Sequence, residues 1–191
     1  MGGGGSNAIN HMYHQGIQGV DFIICNTDAQ AMELSPVPTK IQLGDRGLAA
    51  GSIPSVGKEA ATQKIGEIRE ILEKETKMLF ITAGMGGGTG TGAAPVIASQ
   101  AKDLGILTVG IVTLPFAFEG RKRRQQAEEG INELRKYVDT LLVIGNDKLR
   151  ELYGDLKLSD AFNKADDVLT TAAKGIAEII TVTGYINVDF E

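Results

Sequence analysis

The chain has little cysteine, no excess of positive charge and no long apolar run. Its single cysteine, Cys25, lies in the apolar run 20–25, which indicates a buried thiol and excludes a disulfide framework. The formal net charge of −5 argues against a nucleic-acid-binding protein, which would present a basic face. No apolar run approaches the roughly 20 residues of a membrane span, and no secretory signal precedes the first glycines. We therefore expect a cytoplasmic protein that neither binds nucleic acid nor inserts into a membrane.

The 191 residues have the composition of a globular domain, with 42% hydrophobic and 23% charged residues. Four nearly continuous apolar runs have the length of buried parallel strands, at residues 20–25, 78–83, 106–113 and 140–144. Helical stretches are predicted at residues 7–15, 57–74, 92–104 and 121–137, and a longer one from Ser159 or Asp160 to about residue 181. The alternation predicts an α/β fold with a Rossmann-like parallel sheet flanked by helices, followed by the long helix.

The most informative motif is the run Gly-Gly-Gly-Thr-Gly-Thr-Gly at residues 86–92, which directly follows a predicted strand and precedes a predicted helix. Glycines expose backbone N–H groups, and a helix N-terminus adds partial positive charge. The hydroxyls of Thr89 and Thr91 are further donors. The motif predicts a site for an anion such as a nucleotide polyphosphate, although no Gly-Lys-Ser/Thr ends it as in a Walker A loop.

A second glycine cluster, at residues 2–5, leaves an alternative open. Gly3, Gly5 and Ala8 match the G-x-G-x-x-A pattern of dinucleotide-binding folds, and Asp28 lies twenty residues beyond Ala8, where such folds place a ribose-binding acid. The pattern is short, and the strand that should precede it is absent. An NAD-dependent Rossmann enzyme therefore remains a less favoured interpretation.

Polar segments follow the other predicted strands. Residues 26–30 form either a turn or a ligand-binding segment. The basic run 121–124 opens a helix, where positive charge is unfavourable, so we expect an anion nearby, such as Glu119 or a phosphate; a solvated charged face is the other interpretation.

Three further residues are candidates for binding a base. Asn146 follows the last predicted strand, and Phe162 and Asp166 lie on the long helix. A carboxylate such as that of Asp166 or its neighbour Asp167 accepts hydrogen bonds from guanine N1 and N2, which adenine cannot offer. Phe162 would stack on the base, although a helical phenylalanine more often packs in a core.

These segments together resemble the FtsZ family, the bacterial relatives of tubulin. Residues 86–92 match the family's signature loop, and other motifs follow in the family's order at residues 2–7, 26–30, 118–123, 146–149, 161–166 and 187–190. The resemblance implies a GTPase of cell division that assembles head-to-tail with itself into filaments of the division ring at mid-cell, where other division proteins are partners. It implies GTP or GDP as the bound nucleotide, with Mg²⁺ bridging the phosphate oxygens.

The resemblance also implies roles for individual residues. Those that would contact the nucleotide are Gly3, Gly4, Gly5, Ser6, Asn7, Gly88, Thr89, Gly90, Thr91, Gly92, Glu119, Arg123, Asn146, Phe162 and Asp166. The glycine segments would wrap the phosphates, Glu119 and Arg123 would hold the ribose and phosphate side, and Phe162 and Asp166 would contact guanine. Asp189 and Asn187 would be catalytic, on a loop that enters the nucleotide site of the next subunit and polarises the attacking water. No protein side chain is expected to bind the metal directly.

The same resemblance divides the chain into three parts. Residues 1–158 would be the GTP-binding domain without its first strand, residues 159–182 the central helix, and residues 183–191 the start of the catalytic loop, with the C-terminal domain absent. Ala49 stands where the family favours glycine, and Ser52 and Ile53 replace Ala-Asn in the loop expected to sense the γ-phosphate. A non-catalytic, guanine-nucleotide-binding assembly module is therefore the second alternative.

Overall fold

Five parallel strands form the centre of the fold. The computed structural model describes residues 1–17, 19–74, 76–154 and 157–181. The strands are β1 (Ile23–Asn26), β2 (Thr39–Gln42), β3 (Met78–Gly84), β4 (Leu107–Leu114) and β5 (Thr140–Gly145). Within these ranges they make two sheets, β1–β2 and β3–β4–β5, in which every neighbouring pair is parallel. The predicted α/β fold with a parallel sheet is confirmed.

The connections are mostly helical. The helices are α1 (Gly2–His14), α2 (Ala29–Glu33), α3 (Pro54–Gln63), α4 (Ile65–Glu73), α5 (Gly88–Asp103), α6 (Arg121–Leu134), α7 (Asn146–Tyr153) and α8 (Leu158–Thr181). A short 3₁₀ helix, Ala117–Glu119, precedes α6. None of the helices in the described part of the chain combines the length and hydropathy of a membrane span.

Helices cover both faces of the three-stranded sheet. On one face, Ile81 and Val112 pack with apolar residues of α4, α5 and α6. On the other face, Ile111 packs with Ala8 of α1 and Leu169 of α8. Because both faces are buried, the strands need continuous apolar runs, which is the pattern that the sequence shows. The arrangement places α1 and α8 side by side on this second face, with the first turn of α1 at the carboxyl end of β3.

Several boundaries differ from the sequence-based predictions. Helix α1 begins at Gly2 instead of residue 7, and α5 begins at Gly88 instead of residue 92. Both glycine clusters are therefore helical first turns, because glycine lets these turns approach neighbouring backbone; a Cβ on Gly5 would collide with the carbonyl oxygen of Thr82. The single helix predicted over residues 57–74 is wrong: Lys64, at φ −104° and ψ 15°, interrupts it between α3 and α4.

Candidate functional site

Two helix N-termini converge at the carboxyl end of β3. A Cβ on Gly2 would lie 3.1 Å from the backbone nitrogen of Gly90, and one on Gly4 would lie 3.5 Å from Cα of Gly84. Neither α1 nor α5 has a side-chain cap, so most N–H groups of the two first turns are left for another acceptor. Two helix dipoles directed at one place make it favourable for an anion.

The glycines around the two helix N-termini differ in whether a Cβ atom would fit at their position. A Cβ on Gly90 would lie 2.5 Å from the carbonyl oxygen of Gly84, one on Gly88 would lie 2.6 Å from that of Gly51, and one on Gly92 would collide with that of Pro54. These glycines are required by close packing of the chain against itself. Gly3 differs, because nothing lies within 4 Å of its Cβ position. Its backbone therefore borders open space beside the two helix ends.

Hydroxyl groups hold the glycine loop in place. The hydroxyls of Thr27 and Thr89 lie 2.8 Å apart, and the N–H of Ala50 donates to Thr27 Oγ1 at 3.0 Å. The N–H of Gly86 donates to Thr91 Oγ1 at 2.8 Å. Both predicted threonines thus have intramolecular partners that shape the loop. The sequence analysis singled out the segment 26–30, which directly follows the first predicted strand, but did not name Thr27 among the individual site residues.

The segment 49–53 lies against the glycine loop. The N–H of Gly88 donates to the carbonyl oxygen of Gly51 at 2.9 Å, which occupies one of the N–H groups of the first turn of α5. From the other side, Nε2 of Gln126 on α6 donates to the carbonyl oxygen of Ser52 at 3.0 Å. The segment contributes only backbone carbonyl oxygens to these two contacts. The side chains of Ser52 and Ile53 are exposed at the edge of the site.

Glu119 and Arg123 form an ion pair beside the loop. Glu119 Oε2 lies 2.9 Å from Arg123 Nη1, and Glu119 Oε1 accepts a hydrogen bond from the N–H of Phe116 at 2.9 Å. Arg123 Nη2 lies 3.6 Å from the Cβ position of Gly87, and its Nε is buried without a partner. The guanidinium therefore lies over the glycine loop with donor capacity to spare. The sequence analysis expected an anion near the basic run 121–124, and Glu119 is such an anion.

An aromatic cluster stands on the side of the site formed by α8. Phe116 stacks on Phe118 with ring centroids 4.9 Å apart, and Phe162 meets both rings edge to face at 5.3 and 6.2 Å. Phe116 is buried, whereas Phe118 and Phe162 are 53% and 39% exposed. Phe162 is thus held by two rings while keeping an open surface on which a flat ring system could stack. Phe116 and Phe118 were not predicted as part of a site.

Polar groups accompany this cluster. Asp166 follows Phe162 by one helical turn; burial raises the pKa of its carboxyl to about 6, although a hydrogen bond with the Asn7 side chain opposes the shift. Asn146, at the start of α7, is 4% exposed, and its Oδ1 has no partner. Ser6 likewise has a buried hydroxyl without a partner. Unpartnered buried polar groups of this kind require an explanation, and a bound ligand is one.

Asp28 has a local role that disfavours the dinucleotide interpretation. Its carboxylate accepts a hydrogen bond from the N–H of Ala31 at 3.1 Å and caps α2. The side chain of Asn26, the last residue of β1, accepts a hydrogen bond from the N–H of Thr27 at 2.9 Å, and α2 begins at Ala29. The predicted catalytic residues Asn187 and Asp189 lie outside the described residues. Within the described ranges, no three His, Cys, Asp or Glu side chains are grouped to hold a metal.

Comparison with known proteins gives a consistent result. The model of the family described as "Tubulin/FtsZ family, GTPase domain" matches residues 1–154 of the chain. Two curated relatives, both described as cell division protein FtsZ, come from Porphyromonas gingivalis and Aquifex aeolicus and are 56% and 52% identical over 194 aligned residues. Each alignment covers the whole of this chain but only 42% and 53% of the relative. The chain thus spans about half the length of these relatives.

Solved structures agree with the sequence relatives. An FtsZ dimer from M. jannaschii, described as empty, matches 99% of this chain and 56% of its own with a TM-score of 0.94 and 46% identity. CetZ2 from Haloferax volcanii matches 95% of this chain and 58% of its own with a TM-score of 0.82, and at 22% identity it supports the fold alone. With a family match over more than half of its length, the chain belongs to the Tubulin/FtsZ family and contains that family's GTPase domain.

Proposed function

We propose that the chain is the nucleotide-binding domain of a filament-forming GTPase of cell division. It would bind GTP and GDP where α1, α5 and α8 meet. The proposal rests on one arrangement. Two helix N-termini without side-chain caps converge, and the exposed ring of Phe162 and the partly buried carboxylate of Asp166 lie on the adjacent helix α8. These features provide one site for phosphates and another for a base.

The phosphates would lie against the first turns of α1 and α5. The backbone of residues 3–7 and 88–92 would donate to their oxygens, with Gly3 bordering the open space. Arg123 lies over the glycine loop and would add a charged donor, oriented by Glu119 at 2.9 Å. Release of the Gly51 carbonyl from the N–H of Gly88 would give the terminal phosphate one more donor.

The base would stack on Phe162 and donate to Asp166. A carboxylate accepts from both N1–H and the N2 amino group of guanine, whereas adenine has no hydrogen at N1 to donate. The unpartnered Oδ1 of Asn146 is a further acceptor on the same side of the site. The arrangement therefore favours guanine over adenine nucleotides.

Hydrolysis would take place between two subunits. Water attacks the γ-phosphorus, the bond to the β–γ bridging oxygen breaks, and GDP and phosphate leave. Asn187 and Asp189 are proposed to orient that water in the site of the next subunit, which would couple hydrolysis to head-to-tail assembly. A family relative solved as a dimer supports self-association. Other division proteins and a cytoplasmic position at the division site are part of the same proposal.

Mg²⁺ would reach this site with the nucleotide. It prefers oxygen ligands and retains several waters, so phosphate oxygens suffice where protein carboxylates are few. The described residues fit this mode, because the groups around the two helix N-termini are mainly backbone N–H and hydroxyl donors. Bound there, the ion would neutralise negative charge on the phosphates.

Calorimetry with GTP, GDP and ATP tests the proposal. We expect saturable binding of GTP and GDP and at least about tenfold weaker binding of ATP, which corresponds to about 1.4 kcal/mol of base recognition. Asp166→Ala should remove the preference for guanine. Asp167→Ala is the matched control, because Asp167 is the adjacent acid on the same helix and is 46% exposed. Absence of guanine-nucleotide binding by the folded chain would refute the proposal.

Turnover is tested separately from binding. Phosphate release should be slow with the chain alone and should rise when an assembling family member is added, because the catalytic loop would act across an interface. Asp189→Ala in this chain should remove only the part of that rise that comes from nucleotide in the neighbouring subunit, and it should not change this chain's own GTP affinity. Binding with no turnover under either condition would favour the non-catalytic assembly module.

A further inference from the structure

Two carboxylates hold the turn 115–120, which links β4 to α6. The backbone N–H of Phe116 donates to Oε1 of Glu119 at 2.9 Å. The next N–H, that of Ala117, donates to Oδ1 of Asp147, also at 2.9 Å. Glu119 belongs to the turn, whereas Asp147 lies in the first turn of α7, 30 residues after Ala117. The turn is therefore attached to a separate element of the fold.

Each of these carboxylates also pairs with an arginine of α6. Oε2 of Glu119 lies 2.9 Å from Nη1 of Arg123. Oδ2 of Asp147 lies 3.3 Å from Nη1 of the next residue, Arg124. The turn thus has two links of the same form, each running from a backbone N–H through a carboxylate to an arginine. The first link ends over the glycine loop, and the second joins the turn to α7.

Both parts of the proposed nucleotide site depend on where this turn lies. The exposed ring of Phe118 is in the turn and meets the ring of Phe162, on which the base would stack, at 6.2 Å. Arg123, in the first turn of α6, would contact the phosphates. Gly120 lies between them at φ +100°, and because glycine allows many other conformations, contacts from elsewhere in the fold help to fix the turn. A displacement of the turn would move both groups together.

Asp147 is suited to provide such a contact. Its carboxylate lies at the N-terminus of α7, where the helix dipole stabilises negative charge. Arg124 has a second acid, Glu128, at 3.3 Å, so removal of Asp147 would leave the arginine paired. The N–H of Ala117 would instead lose the acceptor that the structure gives it. The bond to the turn, more than the ion pair, is thus the contribution that depends on Asp147.

The exposure of this link separates its effect on position from an effect on stability. The side chains of Asp147 and Arg124 are 36% and 48% exposed, and ion pairs in such positions contribute little to the free energy of unfolding. Loss of Asp147 should therefore leave the melting temperature nearly unchanged. A loss of nucleotide affinity in such a variant would come from the position of the turn.

We propose that Asp147 is a positioning residue for nucleotide binding. It holds the turn 115–120 so that the ring of Phe118 lies beside the base and the guanidinium of Arg123 lies over the phosphates. It acts through the N–H of Ala117 and not by touching the nucleotide. The inference rests on the proposed function for the identity of the ligand, whereas the link between α7 and the turn can be tested without any ligand.

The first experiment uses no nucleotide. The chain has no tryptophan, so Phe118→Trp places a single fluorescent reporter in the turn. In that background we expect Asp147→Ala to shift the emission to longer wavelength and to increase quenching by acrylamide, because the turn leaves its packed position. Asp147→Asn should leave both unchanged, since its amide oxygen accepts the same hydrogen bond. Glu151→Ala is the matched control, because Glu151 is an exposed acid of α7 that is paired with Lys148 at 2.6 Å.

The second experiment is calorimetry with GTP and GDP on chains that retain Phe118. Asp147→Ala should weaken the binding of both nucleotides about tenfold, because the base and the first two phosphates are common to them. Asp147→Asn should retain most of the affinity, and Glu151→Ala should match the parent chain. The melting temperatures of the three variants should agree with that of the parent, which excludes a general loss of structure.

Different results would overturn the proposal in different ways. Unchanged fluorescence in Asp147→Ala would show that the turn keeps its position without this residue. Parental GTP affinity in Asp147→Ala would show that the link has no role in binding. Equal losses in Asp147→Ala and Asp147→Asn would assign the effect to charge instead of the bond to Ala117. Absence of guanine-nucleotide binding by the parent chain would refute the proposed function and the positioning role together, and it is thereby distinguished from a failure of the role of Asp147 alone.

Discussion

The hydroxyl of Thr27, at the end of β1, lies 2.8 Å from the hydroxyl of Thr89, in the first turn of α5. Through this contact the two-stranded sheet is connected to the helix that carries the glycine loop. The N–H of Ala50 also donates to Thr27, so a single side chain joins three segments around the candidate site. Both threonine side chains are buried. Their hydrogen bonds therefore affect stability as well as the shape of the site.

Thr27→Val should destabilise the chain and weaken nucleotide binding. The substitution keeps the volume but leaves the Thr89 hydroxyl and the Ala50 N–H buried without a partner, at a cost of about 1–3 kcal/mol. Urea unfolding measures the loss, and calorimetry with GTP measures the effect on the site. Thr27→Ser should restore most of both. Thr62→Val is the control, because Thr62 is exposed and its hydroxyl donates to the carbonyl oxygen of Lys58 in the same helix. We expect the free energy of unfolding of this variant to change by no more than about 0.5 kcal/mol.

Guanine-nucleotide affinity should fall as the pH is lowered through about 6. Burial raises the pKa of Asp166 to about 6, and only its charged form accepts two hydrogen bonds from guanine. Affinity at pH 5 should be about tenfold weaker than at pH 7, as expected for a carboxyl with this pKa. Asp166→Asn should bind more weakly at pH 7 and lose the dependence. An unchanged pH profile in that variant would assign the effect to another group.

The same carboxyl should make the unliganded fold less stable as the pH rises. Its pKa is about 6 in the fold and 3.8 as the ordinary value, so the native state binds more protons between these values. Stability then decreases with rising pH across this window and is constant above it, as far as Asp166 contributes. Asp166→Asn should therefore exceed the parent chain in unfolding free energy at pH 7 and match it below pH 3.8. A variant that is less stable than the parent at pH 7 would contradict the prediction.

Thr82→Val and Thr108→Val should have opposite effects on stability. Both threonines are buried in the central strands, but the hydroxyl of Thr82 has no partner, whereas that of Thr108 donates to the carbonyl oxygen of Ile106 at 2.9 Å. Removal of an unpartnered buried hydroxyl should increase the unfolding free energy by up to about 1 kcal/mol, and removal of a bonded one should decrease it by about 1 kcal/mol. Denaturant unfolding of the two variants side by side gives the comparison. A decrease for both would mean that Thr82 has a partner.

The strands that were predicted most accurately from the sequence are those with long, continuous apolar runs. β3, β4 and β5 are continuous apolar runs and were predicted within about one residue, which is the expected precision for such elements. β2 was missed because Thr39–Gln42 is only four residues long and buries mainly Ile41. A strand with one buried residue has no periodicity to detect, and only its pairing with β1 reveals it.

The parts of the site that depend on distant residues were the hardest to predict. The glycine loop and the polar ends of strands are local features, and they were found from sequence. The contact between Phe116 and Phe162 joins residues far apart in the chain, and no local pattern separates these rings from ordinary core residues. Phe162 and Asp166 were candidates for base binding from the chemistry of their side chains, and the resemblance to a family then assigned their roles. The packing of α8 beside α1 is visible only in the folded chain.

Gly3→Ala should separate a binding role from a structural role at the glycine-rich start of α1. Nothing lies within 4 Å of the Cβ position of Gly3, so the fold has room for a methyl group, and alanine favours the helix by up to about 1 kcal/mol. If Gly3 borders the phosphates, the same methyl group should weaken GTP binding at least about tenfold, a loss of about 1.4 kcal/mol.

Gly66→Ala is the matched control for that variant, because Gly66 is also helical, also has an unobstructed Cβ position and lies on α4. It should gain similar stability without a change in GTP affinity. Gly92→Ala is the opposite case, because its Cβ would collide with the carbonyl oxygen of Pro54, and it should destabilise the fold itself. Thermal unfolding and calorimetry on the three variants distinguish these outcomes. Equal GTP affinity in Gly3→Ala and Gly66→Ala would remove Gly3 from the phosphate site, and the open space beside it would then have to face solvent in the bound state as well.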